Sequence, residues 1–325
     1  MYTITRAYLS VLAQALEASG TPLEAAQDAL ASNRRHIRLA TVYQWLQALV
    51  QKTENPDIGL NVYAQAHPAM LGLMGYAVMS SSTLGEALQR LVTYHPLTTN
   101  GSCLLIERQA GKVKLIGFDI GPCAPRVFID AGFAMTLGLL HWLSPASRLA
   151  PMTVELSYPE PAQTQHLEGL LGSQLKFSAP YNSITFPEEI CDLPILTAAP
   201  ALDGMLAELA DAQLMEIIAG SVAVRVRGAL SEQLTQSLTP TLTSVAHALR
   251  MSNRTLQHAL VREGVNFSTL LDEARLTMAH RLLRGSFRSL KYISATLGFR
   301  DQSSFHKACL RWFDMPPGQY RAQGV

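Results

Sequence analysis

The stretch that most constrains this chain is residues 289–321, SLKYISATLGFRDQSSFHKACLRWFDMPPGQYR, where apolar spacing predicts two short helices set across a glycine turn. The first helix is expected over residues 290–297, with Ile293 and Leu297 one turn apart on its inner face and Gly298 as a left-handed stop. Asp301 is placed to cap the second, over residues 302–313. There Phe305, Ala308, Cys309 and Trp312 recur at i, i+3, i+4, i+7, which leaves Ser303, His306 and Lys307 outward and Gln302 at the tip. Pro316 and Pro317 are expected to stop that helix, and Tyr320 and Arg321 to close the unit. This is a helix-turn-helix pattern, and its outward face suits a DNA major groove.

The layout recurs about fifty residues upstream. Residues 242–249 (LTSVAHAL) supply a first helix, Arg250 and Met251 the turn, and Ser252 the cap of a helix from Asn253 to about Glu263, ended by Gly264. Leu256 and Leu260 face inward, while Arg254, Gln257, His258 and Val261 form the opposite stripe. Between the two units, residues 268–284 read as one connector helix with Leu271, Ala274, Met278 and Leu282 on a core face. At 1.5 Å per residue it spans roughly 25 Å. Two recognition helices on one strut can address successive major-groove segments, about 34 Å apart on one side of a duplex.

At this point residues 220–325 resemble the DNA-binding domain of the AraC/XylS family of bacterial transcription regulators. The resemblance is carried by residues 252–257 (SNRTLQ), Arg275-Leu276, Ala279, Leu282-Leu283, Ile293-Ser294, residues 297–299 (LGF), residues 302–305 (QSSF) and residues 316–321 (PPGQYR). It implies base readout from Arg254, Gln257 and His258 in the first motif and from Gln302, Ser303, Ser304 and Lys307 in the second. Asn253 and His306 complete the recognition surfaces, and Arg288, just ahead of the second motif, is placed for a phosphate. His258 and His306 depart from the family, standing where basic or small polar residues are usual.

Charge divides the chain in the same place. The net charge of +1 conceals 14 Lys or Arg against 6 Asp or Glu in residues 220–325, a net +8, and 12 against 19 in residues 1–219, a net −7. The basic part carries the motifs, as phosphate neutralisation requires. With 325 residues, 48% of them hydrophobic and 16% charged, the chain can bury two cores. The start lacks the basic-then-apolar order of an export signal, and the longest apolar runs are about 10 residues, half of what a membrane helix requires. Four scattered cysteines without a CxxC pair suit a reducing cytoplasm, with no disulfide framework expected.

Ahead of the basic domain, helices are expected over residues 4–18, 23–31 (after a break at 20–22) and 41–52. A turn at residues 55–57, an apolar helical region to Met79 and a helix over 84–94 follow, so the first hundred residues read as all helical. Arg34, Arg35, His36 and Arg38 form a basic cluster, either a solvated loop or a DNA contact. The period then alternates: residues 103–108 and 113–120 flank Gly111-Lys112 as a hairpin. A helix over 126–143, a strand over 153–158, a helix over 161–171 and short strands over 175–177 and 182–186 complete an α+β domain with antiparallel strands. Its segment order, with residues 71–76 (LGLMGY), 83–87 (TLGEA) and 177–180 (FSAP), resembles the sensor domain of the ornithine- and virulence-regulator branch of the family. That implies a regulatory domain other than the jelly-roll barrel of the arabinose regulator.

The expected organisation is therefore an α+β regulatory domain over residues 1–200, a linker helix over 201–219, and an all-α DNA-binding domain over 220–325 with motifs at about 242–263 and 290–313. Leu202, Met205, Leu206, Leu209 and Ile217 give the linker an apolar face that either packs on its own domain or pairs with a copy of itself. Tyr76, His95, Phe118, Phe133 and Trp142 are the candidates to line an effector pocket, and equally candidates for plain core. No GxGxxG, P-loop or GxSxG motif is present, and His67, His95, His141 and His166 lack ligand partners at zinc spacing. Cys103 and Cys123 are either redox sensors or small buried hydrophobes.

The reading is a cytoplasmic, promoter-binding regulator, an activator by family habit, without enzyme activity, metal or cofactor. The resemblance implies control of virulence, quorum sensing or amino-acid metabolism. The expected partners are double-stranded DNA, a second copy through residues 1–219, a small-molecule effector and RNA polymerase. The alternatives are a ligand-binding protein or enzyme in the N-terminal domain with DNA binding secondary, and a constitutive DNA binder with an inert scaffold.

Overall fold

A computed structural model describes residues 2–18, 36–119, 123–179, 181–285 and 288–322. The expected helix over 23–31, its break at 20–22, and Arg34 and Arg35 lie outside these residues. The chain divides into two compact units, Tyr2–Leu214 and Met215–Val325.

The first unit begins with a strand rather than a helix. Ile4 pairs with Ile37 as β1 (Thr3–Thr5) runs antiparallel to β2 (His36–Arg38), and α1 follows over Arg6–Ala18. The all-helical reading of this region missed these strands because three residues are too few to show a period. Next come α2 (Leu39–Thr53), 3-10 turns over Ile58–Gln65 and Pro68–Leu71, α3 (Leu73–Met79) and α4 (Leu84–Tyr94). Leu9, Leu12 and Leu16 of α1, Leu46 of α2, and Leu84 and Leu88 of α4 are fully buried.

The hairpin β3 (Ser102–Gln109) and β4 (Lys112–Asp119) turns at Ala110-Gly111, one residue earlier than expected. Both turn residues have positive φ (51° and 70°), the two-residue turn whose twist matches the flanking strands. A five-stranded sheet in the order β3-β4-β7-β5-β6 forms with β5 (Thr153–Glu155), β6 (Leu175–Lys176) and β7 (Asn182–Pro187). The expectation of antiparallel strands holds except at one pair: β5 and β6 run parallel. The chain between them is a helical crossover, which returns it to the same end of the sheet. With α5 (Arg126–Leu143) counted, that crossover helix is α6 (Gln165–Leu171); it starts after Thr164 rather than at Pro161.

Helix α5 is the spine of this unit. It packs against the 3-10 turn Ile58–Gln65 so closely that a Cβ on Gly59 would stand 2.3 Å from the Val127 carbonyl oxygen. One on Gly138 would stand 2.4 Å from Ala66 Cβ and 2.9 Å from the Tyr63 carbonyl oxygen. Both glycines are required by backbone approach. At the start of α5, Arg126 pairs with Asp57 and with the fully buried Asp130, which also accepts a 2.5 Å hydrogen bond from the Tyr158 hydroxyl. Burial pushes the Asp130 carboxyl up to about 6 despite both partners.

Helix α7 (Pro200–Gly220) carries the chain from one unit into the other, and the division falls within it. Its first half is fastened to the core of the first unit. Arg90 forms a two-pronged pair with Asp203, Nη2 to Oδ2 at 2.6 Å, and Nη1 also donates to the Ala77 carbonyl at 2.7 Å. The Tyr94 hydroxyl donates to Asp211 at 3.0 Å. The packed side therefore includes Asp203 and the buried Ala210, whereas Leu202, Met205 and Leu209 are 50%, 54% and 52% exposed. The expected apolar face is thus largely the outer one, because the contacts inward are polar.

The second unit contains α8 (Val222–Thr235), α9 (Leu242–Ala248), α10 (Asn253–Arg262), α11 (Phe267–Gly285), α12 (Leu290–Thr296), α13 (Gln302–Phe313) and α14 (Pro317–Ala322). Val226, Leu230, Val245, Leu256, Leu260 and Leu270 form one core. Phe305, Phe313 and Tyr320 are fully buried in the other half, the last two stacked at 3.9 Å. Helix α13 is stopped by Asp314 in the left-handed conformation, φ 56°, before Pro316 is reached. Pro317 opens α14 instead of only ending α13, as its missing N–H allows at a first helical position.

Both helix-turn-helix turns use one backbone device. Met251 N–H donates to the Ala246 carbonyl and Arg250 N–H to that of His247; Phe299 and Gly298 repeat this toward Ser294 and Ala295. The pivots, Arg250 at φ 55° and Gly298 at φ 68°, are left-handed.

Two stability outcomes follow from these backbone approaches. Gly138→Ala should lower the urea midpoint of the full chain, since overpacking of about 1–3 kcal/mol outweighs the roughly 1 kcal/mol that alanine gains in a helix. An unchanged or raised midpoint would contradict the close approach. Gly298→Ala should cost about 1–2 kcal/mol for the left-handed pivot, and its Cβ would press on Thr239 Cγ2 at 3.1 Å. Thermal unfolding equal to that of the parent would show that the pivot has moved to another conformation.

Candidate nucleic-acid interface

The recognition helices are defined at their N-termini by side-chain caps. Ser252 accepts from the Thr255 N–H at 3.1 Å, and Asp301 from the Ser304 N–H at 2.7 Å. The Asp301 carboxyl is held below the usual carboxylate range, first by that N–H and then by the Ser304 hydroxyl. The preceding helices are capped likewise, by Thr241 and Ser289. Each helix therefore starts at a fixed residue, which fixes the side chains on its outer face.

On α10, Leu256, Ala259 and Leu260 are buried while Arg254, Gln257, His258 and Val261 are exposed, Val261 at 70%. On α13, Phe305, Ala308, Cys309 and Phe313 are buried while Gln302, Ser303 and Lys307 are exposed. Three of the expected contact residues are engaged otherwise. Asn253 donates its amide to Thr243 Oγ1 at 3.0 Å. The Ser304 hydroxyl donates to Asp301 Oδ2 at 3.0 Å, so it serves the cap. His306 is half-buried and sets its ring edgewise to Phe305. Arg288 is exposed; its guanidinium lies over the Tyr292 ring at 5.0 Å and its carbonyl accepts from Arg321 at 2.6 Å.

The connector α11 packs on α8 on one side and on α12 and α14 on the other. Its polar side chains hold specific backbone points, which the apolar pattern did not reveal. Arg275 donates from Nε to the Leu297 carbonyl and from Nη2 to the Gly298 carbonyl, both at 2.8 Å, with its guanidinium 4.6 Å over the Phe299 ring. Asp272 accepts from Arg311 at 2.6 Å and from the Trp312 indole at 3.0 Å, tying α13 to the connector. Glu263, at the end of α10, accepts from the Val222 and Ala223 N–H groups and caps α8. No local signal marks these roles, since each joins residues more than twenty positions apart in the chain.

The first unit holds a cavity of ≈ 170 Å³ between α5 and the β3–β4–β7 face of the sheet. His95, Phe118 and Phe133 line it, as expected of pocket residues. Tyr76 and Trp142 do not: Tyr76 is 49% exposed, and Trp142 lies beyond the cavity with its ring 4.2 Å from His67. Both stand on sides of their helices that do not line the cavity. Cys123 is exposed and Cys103 half-buried in β3, while burial pushes the Cys309 thiol up to about 12. Among the described residues no three His, Cys, Asp or Glu side chains are grouped to hold a metal, and no helix is long and apolar enough to cross a membrane.

Comparison with known proteins matches this two-part arrangement. Residues 9–195 match the family model of the arabinose-binding domain of AraC transcription regulator, and residues 245–323 that of a helix-turn-helix domain. The ornithine utilization regulator of Pseudomonas aeruginosa is 28% identical over 82% of this chain and 78% of its own. The HTH-type transcriptional regulator VirS of Mycobacterium tuberculosis is 24% identical over 88% and 84%. The crystal structure of transcriptional regulator CdpR from P. aeruginosa aligns at TM-score 0.46 and 22% identity, covering 97% of this chain and 98% of that one. Since the first of the two family models spans more than half of the sequence, the chain belongs to the AraC family of DNA-binding transcription regulators.

Proposed function

We propose that this regulator reads a promoter through two successive major-groove segments, with Arg254, Gln257 and His258 facing one and Gln302, Ser303 and Lys307 the other. The carrying observation is the repetition: two exposed stripes of hydrogen-bonding side chains, each on a capped helix behind the same turn, on a segment of net charge +8. Residues 220–325 form the reader, 201–219 the linker and 1–200 the sensor. Base edges are read by the arginine and amide groups, while Asn253, Ser304 and His306 shape the two surfaces.

The sensor half responds to a small molecule and sustains self-association, and the DNA-bound form engages RNA polymerase as an activator. The cavity supports ligand control over a constitutive binder with an inert scaffold, and the relatives named above, both regulators, favour it over an enzyme. A DNA partner makes the cytoplasm the working compartment. The printed names of the relatives suggest amino-acid utilisation or virulence as the kind of process controlled.

Arg254→Ala should relax preference at one base position, losing about 1–3 kcal/mol of discrimination. Arg288→Ala should instead weaken all sequences alike and flatten the salt slope by about one charge equivalent. Binding to the target and to its single-base variants over a salt series separates the two; the reverse pattern would exchange reading and anchoring between them. Self-association is tested at α7. Met205→Glu with Leu209→Glu should turn a dimer into a monomer in light scattering while leaving thermal unfolding unchanged, and a dimer that survives both changes would exclude this face.

A further inference from the structure

Two glycines of α5 have opposite surroundings. Gly138 is demanded by the backbone packed on it, but a Cβ on Gly132 would meet nothing within 4 Å. Glycine inside a helix is unfavourable relative to alanine, and here no contact requires it. Gly132 lines the cavity, so its missing side chain leaves that space open. The volume, ≈ 170 Å³, is of the order that admits one benzene ring.

The walls limit what can enter. Phe118, Phe128, Leu115, Met135 and Leu139 are among the apolar side chains that line it, and among the described residues the lining includes no Lys or Arg. Several of its polar side chains are already engaged within the protein, among them Thr98, whose hydroxyl donates to the His95 carbonyl at 2.8 Å. Thr136 donates to the Gly132 carbonyl at 2.8 Å, Thr99 to that of Thr3 at 2.8 Å, and Ser183 to Glu155 at 2.9 Å. Asn182 Oδ1 accepts from the Ser157 N–H at 2.9 Å. What remains is the His95 Nε2···Ser102 Oγ pair at 2.9 Å, the Asn182 amide nitrogen, the Tyr8 hydroxyl and the Asp119 carboxylate, whose Oδ2 accepts from the Ala124 N–H at 3.2 Å. Burial lowers the His95 imidazole to about 4, so it is neutral near pH 7.

A bound carboxylate or phosphate would find no cation among the described lining residues and would face Asp119, and a buried unpaired charge is strongly disfavoured. A sugar or a free amino acid would bring more polar groups than these walls can satisfy. We propose that the cavity takes a compact, uncharged, mainly apolar molecule carrying one hydroxyl or carbonyl group, its body beside Gly132 and its polar end at the His95–Ser102 pair. This rests on the reading of residues 1–200 as the sensor.

The test is calorimetry on the full chain with benzyl alcohol, toluene, benzoate and L-ornithine. Benzyl alcohol should bind, and benzoate, nearly the same shape but charged, should bind about tenfold or more weakly. Gly132→Leu should fold with unchanged or higher thermal stability and weaken benzyl alcohol by about tenfold or more. Should that variant not fold, Thr136→Met, one turn along the same wall, is the second plug. Ser102→Ala should reduce the preference for benzyl alcohol over toluene. If benzoate or L-ornithine binds more tightly than benzyl alcohol and a plug abolishes it, the cavity remains the sensor site but the ligand class is wrong. If no probe binds, or the plugs leave binding unchanged, the cavity is not the site and the sensor reading falls with it.

Discussion

Arg275 holds together the part of the molecule that faces DNA. A helix that ends at a sharp turn leaves carbonyl oxygens without intrahelical partners. At the end of α12 two of these, on Leu297 and Gly298, receive the fork of a half-buried guanidinium that projects from the connector. Burial lowers the affinity of this group for its proton, yet an arginine stays charged. The fork therefore fixes where the turn lies on α11, and Asp272 fixes α13 through Arg311 and Trp312. A recognition face has to stay uncovered to work, so it is positioned from behind.

The first unit shows the same economy at Arg90. Its guanidinium gathers Asp203 from α7, the Ala77 carbonyl and the hydroxyls of Ser80 and Ser81. The pair is partly exposed and hydrogen-bonded on several sides, which avoids the penalty of a fully buried charge. Tyr94, four residues on, adds Asp211 on the next turns of α7. Its neighbour His95 lines the cavity. His95 thus joins the cavity lining to the end of α4, whose Tyr94 holds α7.

Much of the DNA-binding half was legible in the sequence. The i, i+3, i+4, i+7 recurrence around Phe305 and around Leu256 located α13 and α10, and Ser252 and Asp301 located their starts, because caps and helical periodicity are local. Gly298 announced its left-handed pivot, while at Arg250 and Met251 only the turn was legible, since a non-glycine left-handed pivot has no compositional mark. Helix α5 was read over its full length. The short strands β1 and β2 and the parallel pair β5–β6 escaped, as two or three residues carry no period and pairing direction depends on where the chain returns.

The sequence by itself determined two chemically different halves, helical pairs with outward polar stripes on a basic segment and an α+β segment with an acidic excess, because charge and periodicity are sums over neighbouring residues. Only the tertiary structure decided which side chains meet. It drew Asn253 and Ser304 into the scaffold, removed Tyr76 and Trp142 from the cavity, and showed Gly132 to border empty space where Gly138 borders backbone. Two glycines six residues apart on one helix are the same letter. What distinguishes them is the distance to atoms more than seventy positions away in the chain, which no local pattern records.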